Sequence, residues 1–282
     1  MIQGLLHEHC TLTQQVAAGD GPERPSERRP RDGVFERTCD KTWWGHGALF
    51  GGYVQALALS AMTQALRNAQ QVPQSMTIHF LRPFLDGVFR AETNVERAGR
   101  NMSNVSARLY SGGKLSGLAM TSFGTWREFN EFRALAPPDD APIQRGESPV
   151  VTPLGVPTHD HFDMFPRIGT FARGGGDAHV GGWVVQRDVG PIDHLAIPVL
   201  ADLWIPAAYH RWTEPSPAVS VDITTHFRSA LPRDDVAPTA PVFVDLRTAG
   251  SIGGFVDEDV NIWSASGVLL AQSRQMRFVH GA

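Results

Sequence analysis

The sequence is poor in the features that would place it in several large classes. Only two cysteines occur in 282 residues, so no disulfide framework is available and Cys10 and Cys39 read as reduced structural thiols. No run approaches the roughly 20 apolar residues that cross a bilayer. The first ten residues also lack a basic segment followed by a sustained apolar one. A cytoplasmic protein without a membrane span is therefore expected. There is no excess of positive charge: the formal charge is -4 and the isoelectric point about 6.2. Nucleic-acid surfaces need clustered Lys and Arg to displace counterions, so no nucleic-acid partner is expected. A Gly-x-Ser-x-Gly elbow is missing, which disfavours a serine hydrolase. A P-loop and a Gly-x-Gly-x-x-Gly turn are missing as well. No cofactor is called for. The one stretch that looks like a metal cluster, His159-Asp160-His161-Phe162-Asp163, has no matched ligands elsewhere at a recognisable spacing, and no metal site is assigned.

What is present is an ordinary globular mixture, 42% hydrophobic and 19% charged, long enough for one large or two ordinary domains. It is also repeated. Residues 51–126 and 198–279 each carry an apolar helical pattern, then a strand containing His-Phe, then three more strand-like runs. Gln55 lies 24 positions before His79, and Asp202 lies 24 positions before His226. The two copies differ where the first helix carries an amide and the second a carboxylate. His79 and His226 recur in both copies, which argues for structural duty in a core or an interface rather than for catalysis.

Residues 1–32 read as a flexible leader, Gly-, Pro- and Arg-rich beyond residue 11. A first unit spans 33–133. It has a short strand over 34–39 and a helix from Gly51 to about Asn68, whose buried stripe is Val54, Leu57, Ala58, Ala61 and Ala65. Strands follow over 75–82, 88–97, 102–110 and 115–126. A Pro-rich linker covers 134–157. The second unit, 158–282, has strands over 161–168 and 180–187, then a helix from near Pro191 to about Trp212. Pro198 and Pro206 predict a bend or late start in that helix. Strands over 219–228, 242–250, 255–263 and 268–279 complete it. A long apolar helix beside an antiparallel sheet buries both only if the sheet curls around it. The predicted class is α+β: a tandem, or double, hot-dog with two long helices, each wrapped by a curved antiparallel sheet.

The wording of the motifs is familiar: Leu49-Phe50-Gly51-Gly52, His79-Phe80-Leu81-Arg82-Pro83, Val95-Glu96-Arg97-x-Gly99-Arg100-Asn101, and Thr121-Ser122-Phe123. As a set they resemble the acyl-CoA thioesterase II family of double hot-dog enzymes, over most of residues 33–279. The resemblance implies hydrolysis of an acyl-CoA substrate by a water held on an Asp, a Thr or Ser, and a Gln, all in the second copy. Ala201-Asp202-Leu203 matches the form of the family's Asp motif, within a helix that is otherwise poorly matched. Ser220-Val221-Asp222 occupies the place of the family hydroxyl, with serine for the commoner threonine. Val268-Leu269-Leu270-Ala271 is followed by Gln275, the candidate amide, with Gln272 nearby as an alternative.

Residue chemistry supports these roles separately. Asp202 is the only ionisable group in Val199–Ile205, so burial would strip its hydration unless donors replaced it. Ser220 and Gln275 offer a hydroxyl and an amide, neutral groups that hold a carboxylate and a water without neutralising a base. Backbone N–H groups of Gly51 and Gly52, at the start of the first helix, are candidate oxyanion donors, although glycines there equally permit close packing. Taken alone, Ser220 alternates with Asp222, Thr224 and His226 and reads as a solvent-facing hydroxyl. Arg82, Arg97, Arg100 and Arg108 are either contacts for coenzyme A phosphates or solvated surface charges. Trp204, Trp183 and Phe255 are candidates for closing the acyl pocket. A hot-dog enoyl-CoA hydratase or dehydratase, and a catalytically silent acyl-binding module, are the competing functions. Exposed strand edges suggest a homo-oligomer.

Overall fold

The computed structural model describes residues 4–15, 33–127, 129–152, 155–171, 174, 176–214 and 216–280. In chain order the first unit has α1 (Leu5–His9), β1 (Thr13–Gln15), β2 (Gly33–Cys39), α2 (Gly51–Leu66), β3 (Val72–Phe80), β4 (Gly87–Arg97), β5 (Met102–Ser111) and β6 (Lys114–Gly124). No helix or strand occurs over 129–152 or 155–156, and a 3-10 turn then spans Pro157–His161. The second unit has β7 (Phe162–Ile168), β8 (His179–Gln186), α3 (Ala196–Asp202), α4 (Ala207–Arg211), β9 (Ala218–Phe227), β10 (Val242–Arg247), β11 (Ser251–Ile252), β12 (Phe255–Ser264) and β13 (Leu269–Val279). No helix among the described residues is long and apolar enough to cross a membrane.

All strands join one antiparallel sheet in the order β1-β2-β4-β5-β6-β3-β9-β13-β12-β10-β8-β7, with β11 on β12. The halves meet at β3 and β9, where Thr77 lies opposite Thr224, its own counterpart in the repeat, and their hydroxyls bond at 3.0 Å. The duplication thus appears in three dimensions as a pseudo-two-fold axis between these threonines. His79 and His226 lie beside that axis and are exposed, so they are not core residues. Their recurrence reflects the shared outer face of β3 and β9.

The α2 helix is buried almost all round, from Gly52 to Met62 apart from Ser60. The expected single stripe is too narrow because the sheet covers one side while α3 covers the other. A helix apolar on every face belongs in such an interior. The second long helix is not formed: α3 ends at Asp202 and α4 begins at Ala207. Pro206 has no N–H to give the Asp202 carbonyl and pushes Ile205 toward extended backbone. Pro198, in the first turn of α3, breaks nothing because that N–H needs no intrahelical partner. At the N-terminus, the leader expected over 1–32 includes packed structure. Leu6, Cys10 and Leu12 are core residues, the Tyr53 hydroxyl donates to the His9 carbonyl at 2.8 Å, and His7 bonds Asp193 at 2.8 Å. Residues 16–32 of that leader lie outside the described residues.

Candidate active site

Where α3 ends, the chain leaves a carboxylate in an unfavourable place. Asp202 sits at a helix C-terminus, where the dipole disfavours negative charge, and is only 6% exposed. Three sets of donors replace its water. Oδ2 accepts the Gly52 N–H at 3.0 Å, at the positive end of α2. Oδ1 accepts from Arg277 Nη2 at 2.9 Å and from Gln275 Nε2 at 3.4 Å. The N-terminus of one helix thus offsets the C-terminus of the other.

Gln275 and Arg277 alternate on β13 and point to the same inner face. Glu258 lies opposite Gln275 on β12. It is fully buried and accepts from Ala207 N (3.1 Å), Gln275 Nε2 (2.7 Å) and Arg277 Nε (2.5 Å). Burial pushes its carboxyl above the usual range, against the opposing pull of Arg277. Burial disfavours the Arg277 cation in turn, but Glu258 and Asp202 outweigh it and raise its pKa. A carboxylate surrounded by three donors fixes the orientation of Gln275, whose NH2 must face Glu258. Its carbonyl oxygen therefore faces Ser220, whose Oγ donates to it at 3.3 Å. Arg277 Nη1 donates to Ser220 Oγ over 3.4 Å.

Ser220 reaches this inner face through a bulge. The ladder between β9 and β13 pairs Asp222 with Met276 but Ser220 with Arg277, leaving Val221 unpaired. The extra residue reverses the alternation, so Ser220 does not share the outward face of Asp222 and Thr224. The first unit carries the same bulge, with Ser75 opposite Ser122 and Pro73 opposite Phe123. Matching the two ladders sets Pro73 at the place of Ser220, Thr121 at Gln275, Phe123 at Arg277 and, across to β5, Val105 at Glu258. Gln55 holds the place of Asp202. The first unit has no charge at any of these positions.

Asp202, Ser220, Arg277 and Gly51 line an open cleft of about 490 Å³ whose walls include Leu49, Phe50, Phe80, Phe84, Val156, Leu203 and Trp204. A carboxylate, a hydroxyl and a cation thereby share the wall of a largely apolar cleft. His159, also on the wall, bonds the Leu203 carbonyl through Nε2 (3.0 Å) and the Thr152 hydroxyl through Nδ1 (2.6 Å). Burial, partly offset by the Leu203 carbonyl, lowers its pKa.

The expected residues Asp202, Ser220, Gln275, Gly51 and Gly52 are therefore neighbours. Gly52 gives its N–H to Asp202 and so is not a free oxyanion donor, whereas the Gly51 N–H, first in α2, has no intrahelical acceptor. Gln272 faces away and donates to Asn261 at 3.0 Å. Arg82 alone of the four arginines considered lines the cleft. Of the three bulky candidates, Trp204 lines it, stacked on Phe171 at 5.6 Å. Trp183 packs on Phe243 and Phe255 on Phe278, both elsewhere. His159 and His161 lie on the 3-10 turn rather than on one strand face, and His161 pairs with Asp188 at 2.8 Å. Glu258 and Arg277 were not anticipated. The signal available was parity, since Glu258 alternates with Val256, Val260 and Ile262, and Arg277 with Ala271, Gln275 and Val279.

Comparison with known proteins bears on what such a site does. Residues 40–126 match the acyl-CoA thioesterase N-terminal domain, and residues 134–279 the acyl-CoA thioesterase C-terminal domain. A hot-dog protein of unknown function from Alicyclobacillus acidocaldarius superposes with a TM-score of 0.77 at 22% identity, covering 98% of each chain. A putative thioesterase II from Thermobifida fusca gives 0.75 at 20% identity, over 100% of this chain and 99% of that one. An acyl-CoA thioesterase II from Mycobacterium marinum gives 0.72 at 16% identity, over 98% and 97%. Among curated proteins, none matches the sequence.

Proposed function

The chain belongs to the acyl-CoA thioesterase family and is a thioester hydrolase, and from that premise we propose that it splits an acyl-CoA into free acid and coenzyme A using a water activated by Asp202, Ser220 and Gln275. The observation that carries this reading is the buried Asp202 carboxylate, oriented by neutral and charged donors on the wall of a largely apolar cleft. Ser220 donates its proton to Gln275 and accepts from Arg277 Nη1, which leaves one lone pair of its oxygen to accept from a water. A water on the cleft side gives one hydrogen to Asp202 Oδ2 and the other to Ser220 Oγ, which leaves its own lone pair for the thioester carbonyl. Asp202 takes the proton as the C–O bond forms. The tetrahedral oxyanion meets the Gly51 N–H at the start of α2, and its collapse breaks the C–S bond, with the coenzyme A sulfur leaving and taking up the proton held on Asp202. The acyl chain lies along Phe80, Phe84 and Trp204. No acyl-enzyme is formed.

The test is release of coenzyme A from a series of acyl-CoAs, including branched and aromatic ones, by the native chain and by Asp202→Asn. Loss of about 10²–10⁴-fold in kcat is expected for the variant, the usual weight of a positioned base, with binding of a non-hydrolysable analogue retained. Turnover by the variant at the native rate, or none by the native chain, would reject the assignment.

A further inference from the structure

Two buried charges at the site are unexplained by the water-activating group. Asp202 already has the Gly52 N–H and the Gln275 amide as donors, and taking a further carboxylate and a guanidinium out of water is expensive. The fold does not require them. The first unit builds the same ladder and bulge with Val105 at the place of Glu258 and Phe123 at that of Arg277, both fully buried. An apolar pair fills these positions in one half of the molecule, so the ion pair in the other half answers to something other than packing.

The geometry of Arg277 indicates what. Its Nε is held by Glu258, its Nη2 by Asp202 and its Nη1 by Ser220. A guanidinium has five N–H groups, so one on each terminal nitrogen has no acceptor among the described residues. The side chain lines the cleft, whereas Glu258 sits behind it, anchored by Ala207 N and Gln275. Glu258 is the fixed end of the arrangement, and the cation forms part of the cleft wall. Resting on the hydrolytic reading above, we propose that Arg277 is a further catalytic residue, locked by Glu258 so that its unused N–H groups meet the thioester oxygen as negative charge develops there. No bond to the arginine forms. It acts with the Gly51 N–H, and a preorganised cation in a half-dry cleft outweighs a second backbone donor. Glu258 is its positioning residue.

The experiment uses the full chain and measures kcat together with the dissociation constant of a non-hydrolysable thioether analogue of acyl-CoA. Arg277→Lys keeps a charge beside Glu258 but cannot hold three partners, and Arg277→Ala leaves a space open to the cleft. Both are expected to lose about 100-fold or more in kcat, with analogue affinity within about threefold of native by the same argument. Guanidinium at a non-denaturing concentration should restore part of the turnover of Arg277→Ala and none of that of Asp202→Asn. Near-native kcat in Arg277→Lys, a loss mirrored in analogue binding, failure of guanidinium to rescue, or unfolding of both arginine variants would each overturn the proposal. If Asp202→Asn is dead while the arginine variants turn over normally, only this inference falls. If the native chain hydrolyses no acyl-CoA, the hydrolytic reading falls with it.

Discussion

Two adjacent glycines at the start of α2 should separate stability from turnover. A methyl group added at Gly52 would lie 2.4 Å from the Pro198 carbonyl oxygen and 2.7 Å from the Val199 Cα. Both are backbone atoms of α3, and no rotamer change can move them. Relief requires the two central helices to part, which overpacks the sheet around them at a cost of about 1–3 kcal/mol. It also stretches the Gly52 N–H bond to Asp202, and hydrogen bonds to charged groups contribute about 1.5–3 kcal/mol. A combined loss of about 2.5–6 kcal/mol, at roughly 2–4 °C per kcal/mol, lowers Tm by about 5–24 °C. At Gly51 the same methyl would meet Asp202 Oδ2 at 2.8 Å, and its other contacts are ordinary. The carboxylate can swing aside only by giving up the same Gly52 N–H bond, about 1.5–3 kcal/mol, against which the helix gains about 1 kcal/mol in propensity. Tm should then fall by about 1–8 °C by the same conversion, while misplacement of the carboxylate by the order of 1 Å lowers kcat about 100-fold. Thermal melts and coenzyme A release on Gly51→Ala and Gly52→Ala read both quantities. Equal loss of Tm in the two variants, or native kcat in Gly51→Ala, would refute this account of how the helix termini hold Asp202.

Other perturbations reach different parts of the structure. Glu258→Leu leaves the Arg277 cation without its main partner and should cost about 3–5 kcal/mol in chemical denaturation; a midpoint at the native value would mean that the pair is not coupled to folding. Trp204→Ala removes one wall of the cleft and the stack on Phe171, so the preferred acyl group should become longer or bulkier in the substrate series, with a stability loss of about 3–5 kcal/mol. An unchanged profile would place the acyl chain elsewhere. The hydrogen bond that His7 donates to Asp193, with the charge of that carboxylate, outweighs burial and raises the pKa of His7 above 6.5. Folding then binds the proton more tightly than the unfolded chain does, so this contribution is complete below pH 6.5 and is lost as pH rises through the folded value. Amide-exchange protection over Leu5–Cys10 should fall across that interval in the native chain, and Asp193→Asn should abolish the dependence.

The sequence made most strands legible because alternation is local: β4, β5 and β12 begin and end within a residue or so of where the pattern places them. The equal spacing of Gln55 and Asp202 before their His-Phe pairs likewise carried the duplication, since a repeated helix-to-strand distance survives divergence of side chains. The failures share a cause, which is that they depend on partners distant in the chain. Leu6, Cys10 and Leu12 are too few to show a period, and they are core because they join a cluster built from residues distant in the chain. The bulge at Val221 is invisible in a single strand because it exists only as a mismatch with β13; without it, Ser220 reads as outward. Glu258 stands between Asp257 and Asp259 and looks like part of a solvated acidic run, yet parity with Val256 and Val260 turns it inward, where charge is tolerated only beside a counter-charge. Applied to β13, the same parity sets Arg277 on the face of Gln275. A buried carboxylate and a buried guanidinium on neighbouring strands then imply each other. The pair was deducible once the order of the last two strands was granted, and the place of Arg277 on the cleft wall makes it the most direct target for mutation.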